Sequence, residues 1–209
     1  MGIMEHLQAR LKDLREKLAS MGLVHRPIKK AASYKRISRR SGYEPKITSW
    51  QSRERKTFLD RGEIPMIQTE EIEVYMPRVR AVHHWVLDNI AWDSDQKIYG
   101  RPDFWATTDE ILKRRRDDCD GQAAAMWRQM RDLGLPDLKI GMVMLVAGRR
   151  RQGHMIAAYF HAEDDFLALD NGYMTREILP ARELFANKVL CKGMRPVAWF
   201  NLWQFGSFA

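Results

Sequence analysis

The sequence predicts an α+β fold. A cysteine at the start of a helix packs on an antiparallel sheet that carries a histidine and an aspartate, and a basic extension precedes them. Three observations predict this. A helix with one apolar face opens at Cys119. Two short apolar runs, holding His154 and Asp170, flank a polar tip, which is the pattern of a β-hairpin. Residues 1–61 carry 16 Lys and Arg against 6 Asp and Glu, and the rest carries 19 against 21, so the formal net charge of +8 arises in the extension. A hydrophobic content of 45% can fill a core, and 209 residues suit one domain with an extension.

In chain order, Ile3, Leu7, Leu11, Leu14, Leu18 and Met21 follow a spacing close to a heptad seam. A helix that short needs a surface to pack on, either its own domain or a second chain. Residues 22–62 are poor in apolar period and rich in Lys, Arg, Ser and Pro, so they read as an extended arm. We therefore divide the chain into a basic N-terminal helix and arm, 1–62, and a domain, 63–209. The arm suits contact with an acidic protein or another polyanion. It holds no nucleic-acid motif, and Tyr34, Tyr43 and Trp50 are too scattered to form a base-stacking platform, so sequence-specific nucleic-acid binding is not expected. No apolar run reaches the roughly 18 residues of a membrane span, and the first residues lack the apolar core of a signal peptide. These features point to the cytoplasm.

Residues 69–76 alternate weakly and read as a short strand or irregular segment. Val79, Val82, His83, Val86, Leu87 and Ile90 then recur at helical spacing, predicting a helix over 78–91. His83 and His84 with Asp88 lack the spacing of a known metal motif, so they read as packing residues. Thr107 and Glu110 form a capping box for a helix from 108 to about 113. Asp118 is a good N-cap, and Ala123, Met126, Trp127, Met130 and Leu133 make one helical face. Leu133-Gly134-Leu135-Pro136 ends that helix, because Gly tolerates the left-handed cap and Pro cannot continue. Leu138–Ala147 is a strand, and the basic turn 148–153 leads into the hairpin. A short helix over 180–187 and a last strand over 197–200 complete the chain.

Cys119 thus sits where unpaired N–H groups and the helix dipole favour an anion, which would lower its pKa from about 8.5 toward neutrality. A nucleophilic thiol needs a base, and the base needs an orienting group. If the hairpin is symmetric about Ala162, His154 and Asp170 are directly opposite, on one face, with Cβ atoms roughly 5 Å apart. A slip of one residue would separate them onto opposite faces. With only two cysteines, Cys119 and Cys191, and one of them a candidate nucleophile, both are expected to be reduced.

Four segments occur together in one order. They are Asp103-Phe104-Trp105-Ala106-Thr107-Thr108-Asp109-Glu110-Ile111-Leu112, Asp118-Cys119-Asp120, Gly153-His154-Met155 and Leu169-Asp170-Asn171. In these the chain resembles the bacterial transglutaminase-like cysteine proteinases, part of the wider transglutaminase-like, papain-related superfamily. The resemblance covers about residues 78–200. It implies a papain-like core and a Cys–His–Asp triad on Cys119, His154 and Asp170, acting on a protein or peptide substrate. No cofactor is expected. In one branch of the family, acidic residues beside the Cys take part in calcium binding. This chain keeps Asp118 and Asp120 but has Gly121 where relatives carry a second acidic residue, so activity without calcium is expected. Relatives are glycine-rich ahead of the Cys, where this chain has Lys113-Arg114-Arg115-Arg116. Those cations would favour a thiolate.

The expected function is a thiol-dependent hydrolase, a cysteine peptidase. Two alternatives use the same features: an acyl transferase or amidase with the same triad, or a non-enzymatic adaptor that binds acidic partners through the arm. The Cys119 N–H is the natural first oxyanion donor, and Asn89, Trp92 and Gln122 are candidates for the second.

Overall fold

The computed structural model describes residues 44–61, 72–147, 152–162, 165–202 and 205–207. The heptad-like stretch 3–21, the arm as far as residue 43 and the tip of the basic turn, 148–151, lie outside the described residues.

Helix α1 (Glu44–Asp60) falls within the span assigned to the arm. Its Ile47 and Trp50 are buried in the main core. Trp50 meets Trp105, Trp127 and Phe200 edge-on, with ring centroids 6.2, 5.4 and 6.1 Å away, a favoured aromatic geometry. The buried Glu54 accepts from both the N–H and the hydroxyl of Thr108, at 2.7 and 3.0 Å. The boundary at 62/63 is therefore corrected: residues 44–60 belong to the folded domain. Their helical face was hidden by the polar Gln51 and Glu54 on its buried side.

Helix α2 (Ile72–Asn89) begins six residues before the predicted start and contains Pro77. The segment 72–76 is thus helical rather than a weak strand. Tyr75 extends the buried stripe of Val79, Val82 and Val86 at helical spacing, and packing on that stripe outweighs the missing Pro77 N–H. A short strand β1 (Ala91–Trp92), helix α3 (Asp95–Tyr99) and helix α4 (Thr108–Arg114) follow. The Thr107–Glu110 capping box is complete, and Arg115 closes α4 in the left-handed region at φ 60°. Strand β2 (Arg116–Asp117) pairs in parallel with β1 and leads into helix α5 (Cys119–Asp132).

Helix α5 ends as its sequence requires. Gly134 has φ 82°, its N–H bonds the Arg131 carbonyl, and the Leu135 N–H reaches back to Met130 at 3.1 Å. This is a Schellman motif.

The remaining elements are β3 (Ile140–Ala147), β4 (Gln152–Tyr159), β5 (Leu167–Leu169), β6 (Leu179–Pro180), α6 (Ala181–Ala186), β7 (Met194–Phe200) and β8 (Phe205–Ser207). They build a six-stranded sheet in the order β6-β5-β4-β3-β7-β8, antiparallel throughout. The strand predicted at 197–200 begins earlier, at Met194, and is followed by β8 at the edge. Met142 and Met144 of β3 join the core formed with α1, α2 and α5, and Val143 and Leu145 join a second core with Leu184 of α6. Side chains alternate between the two faces of a strand, and here both faces are covered. That is why β3 is apolar without interruption.

Candidate active site

Cys119 is positioned from its own helix and from the sheet. The β1–β2 pair fixes the approach: Ala91 donates to the Arg115 carbonyl and Asp93 to the Asp117 carbonyl, at 3.0 and 3.1 Å. Asp117 Oδ1 then accepts from the Asp118 N–H at 2.9 Å, and Asp118 Oδ1 accepts from the Asp120 N–H at 3.1 Å. Asp118 is thus the helix cap that its sequence position predicts. The half-buried Cys119 follows and packs against the core that contains Met155 of β4.

The expected lowering of the thiol pKa is reversed. Burial raises it most, and the charges of Asp118 and Asp120 raise it further, against weaker opposing contributions from the Met155 and Cys119 N–H groups. The cations at 113–116 do not offset this. All four residues are exposed. Arg114 lies over Tyr99 and Arg115 over Trp85, at 4.6 and 4.4 Å from the ring centroids, and Arg116 pairs with Asp93 at 3.6 Å.

On the sheet side the pairs are Ala157↔Leu169, Ala158↔Ala168 and Tyr159↔Leu167. Carried one step further, this register sets Asp170 against Ile156, two residues from the symmetric pairing that was expected. A shift of two preserves the face. Asp170, just beyond β5, reaches diagonally to His154, and Nε2 of the imidazole lies 2.6 Å from Asp170 Oδ1. Asp170 is fully buried. Its Oδ2 accepts from the N–H groups of Gly172, Met174 and Thr175 at 3.1, 2.7 and 3.1 Å. Burial alone would raise the pKa of this carboxyl, but the bond and charge of His154 and the backbone N–H groups outweigh it, so the net shift is downward.

His83, predicted to be a packing residue, is buried and also holds this loop. Its Nε2 lies 2.7 Å from the Asp170 carbonyl oxygen. Burial lowers its pKa, so the neutral ring with Nε2–H is the donor. No sequence spacing reveals this contact, because 87 positions separate the two residues. A second tie crosses the site. Asn171 Nδ2 donates to Gln122 Oε1 at 2.8 Å, and Gln122 Nε2 donates to the Ile90 carbonyl at 2.7 Å. Of the candidate oxyanion donors, Gln122 is therefore engaged with Ile90. Asn89 Nδ2 donates to the Trp85 carbonyl at 2.9 Å, and Trp92 stands 62% exposed on β1.

Four carboxylates converge beside the Cys119 helix start. Asp95, Asp117, Asp118 and Asp120 each offer an oxygen, and these oxygens lie within 4.8 Å of one another. One oxygen each of Asp95 and Asp120 is buried without a hydrogen-bond donor. Burial pushes Asp95 and Asp117 up to about 6, with neighbouring carboxylates adding to the shift. It also raises Asp120 well above the usual carboxylate range. Gly121 makes room for this cluster. A Cβ there would lie 2.2 Å from Asp117 Cγ, so the Asp117 side chain occupies the space that a side chain at 121 would fill. An all-carboxylate donor set with orphaned oxygens fits a hard cation such as calcium. The argument from Gly121 against a metal cage does not hold, because Asp117 and Asp95 supply carboxylates that the local motif did not show.

Among the described residues, no helix is long and apolar enough to cross a membrane. No protein-family model and no curated protein sequence matches the chain. Solved structures do. One is LapG of Legionella pneumophila, 19% identical, with a TM-score of 0.52 over 64% of this chain and 68% of that one. The EGTA-treated form gives 19% identity and a TM-score of 0.53, over 64% and 67%. The calcium-bound form gives 19% identity and 0.52, over 67% and 71%. At this identity the likeness is one of fold: the chain shares with these structures a mixed α+β core built on an antiparallel sheet.

Proposed function

We propose that this chain is a thiol-dependent peptidase in which Cys119 is the nucleophile, His154 the general base and then acid, and Asp170 the orienting carboxylate. The observation that carries this is the 2.6 Å contact between His154 Nε2 and Asp170 Oδ1. It leaves Nδ1 of the imidazole free, one residue along β4 from Met155, which belongs to the core against which Cys119 packs. Nδ1 takes the thiol proton, and the sulfur attacks the carbonyl carbon of a peptide bond. The Cys119 N–H stabilises the resulting oxyanion. His154 then returns the proton to the leaving amine, and water hydrolyses the acyl-enzyme with His154 again as base. Asp170 stays ionised and stabilises the imidazolium that forms between these steps.

Asp95, Asp117, Asp118 and Asp120 would hold calcium. Bound there, the ion would supply positive charge next to Cys119 and fix the turn that presents it. One fold neighbour was solved in a calcium-bound form, which supports this reading. Residues 1–61 are proposed to contact an acidic partner through their net charge.

The test is a peptidyl vinyl sulfone, which alkylates an activated peptidase thiol. The adduct should map to Cys119, and hydrolysis of a diverse peptide library should vanish in Cys119→Ser. Labelling confined to Cys191, or peptide hydrolysis that survives in Cys119→Ser, would contradict the assignment.

A further inference from the structure

His154 is 6% exposed and Asp170 is fully buried. The side chain of Tyr173, itself 37% exposed, lies over the imidazole. The two ring centroids are 5.0 Å apart, with the planes inclined at 48°. Tyr173 is held from its other contacts by Lys192. The Lys192 ammonium donates to the Tyr173 carbonyl and lies 3.8 Å from the centroid of its ring, well inside the range of a cation–π contact. Lys192 has φ 51°, a left-handed conformation uncommon for a residue with a side chain. It brings the ammonium from the turn before β7 to the loop after β5.

The same loop is organised by the carboxylate that orients the base. Asp170 Oδ2 gathers the N–H groups on both sides of Tyr173, from Gly172 and Met174. The Tyr173 N–H itself donates to Asn171 Oδ1 at 3.2 Å. Asp170 Oδ1 meanwhile holds His154. One carboxylate therefore fixes both the imidazole and the aromatic side chain that covers it.

We infer that Tyr173, clamped by Lys192, is a positioning residue for the general base. It excludes water from the His154–Asp170 hydrogen bond and holds the imidazole at the tilt that keeps Nδ1 toward Cys119. This rests on the reading of His154 as the base. Water reaching Nε2–H would compete with Asp170 for the proton and free the ring to rotate, and small misplacements of a catalytic group are costly in rate.

The experiment uses the full chain and four variants, Tyr173→Phe, Tyr173→Ala, Lys192→Met and His154→Ala. Two quantities are read: the iodoacetamide alkylation rate of Cys119, and the linewidth of the His154 Nε2 proton resonance, which broadens when that proton exchanges with water. Tyr173→Phe should match the parent in both. Tyr173→Ala should broaden the resonance and slow alkylation about tenfold. Lys192→Met should give a smaller change in the same direction. If Tyr173→Ala melts too early to measure, Tyr173→Val, whose shorter side chain uncovers the imidazole, replaces it with a smaller change expected in the same direction. A sharp resonance and unchanged rate in Tyr173→Ala, with alkylation slowed in His154→Ala, overturns the inference and leaves the base assignment standing. An alkylation rate indifferent to His154→Ala overturns the base assignment itself, and the inference with it.

Discussion

Two carboxylate environments flank Cys119, and they are opposites. On the sheet side, Asp170 is fully buried, yet both side-chain oxygens and its carbonyl are met by protein donors, and its pKa is held down. On the helix side, Asp95, Asp117 and Asp120 face one another, two of their oxygens lack donors, and their pKa values are pushed up. A buried carboxylate needs compensating hydrogen bonds or charge. The sheet side supplies these from the chain itself. The helix side leaves two of its oxygens without any such donor.

The largest effect should come from the self-sufficient side. On the proposed mechanism, Asp170→Asn removes the charge that stabilises the imidazolium and leaves the neighbouring N–H groups a poorer acceptor. We expect Cys119 alkylation to fall on the order of a hundredfold, and stability by about 1–3 kcal/mol. The pH dependence has a definite sign. A carboxyl whose folded pKa lies below its unfolded value of ~3.9 contributes stability that is fully present above that value. That stability is lost as pH falls through the folded pKa. Asp170→Asn should therefore flatten the acid limb of a stability–pH curve below about pH 4. A parent and variant with parallel acid limbs would show that Asp170 is not the group being titrated.

The helix side should respond to calcium and the sheet side should not. At a hundredfold excess over its Kd, calcium should stabilise the protein by about 2.7 kcal/mol, roughly 5–10 °C in Tm for a chain of this size. Asp117→Asn should remove most of that shift, and Asp170→Asn should retain it. Gly121→Ala should cost about 1–3 kcal/mol and weaken the calcium response only in part, by displacing the Asp117 carboxylate. Equal melting with chelator and with calcium, in the parent protein, would remove the asymmetry.

What the sequence showed and what it concealed follow the range of the forces involved. The Asp118 cap, the Thr107–Glu110 box and the Gly134 helix stop are local, each decided within a few residues, and each stands as predicted. The face of the hairpin was also legible, because alternation survives a shift of two, but the register was not. β5 is only three residues long, so its pairing depends on tertiary packing rather than on the turn. Helix α1 was missed because the polar Gln51 and Glu54 sit on its buried face between Ile47, Trp50 and Phe58. The acidic cluster was half legible. Asp118 and Asp120 adjoin the Cys, but Asp95 arrives from another helix, and Gly121 marks the space Asp117 fills rather than a lost ligand. The pKa of Cys119 was misjudged because the dipole argument counts only the helix, and burial beside Asp118 and Asp120 is stronger.

The central claim is that His154 activates Cys119. It is tested most directly by the ratio of iodoacetamide alkylation rates at Cys119 and the buried Cys191, measured near neutral pH in calcium, in the parent protein and in His154→Ala. The account predicts that Cys119 reacts at least tenfold faster than Cys191 in the parent, and that His154→Ala removes most of this advantage. Equal rates at the two thiols, or a Cys119 rate unchanged by His154→Ala, would contradict it.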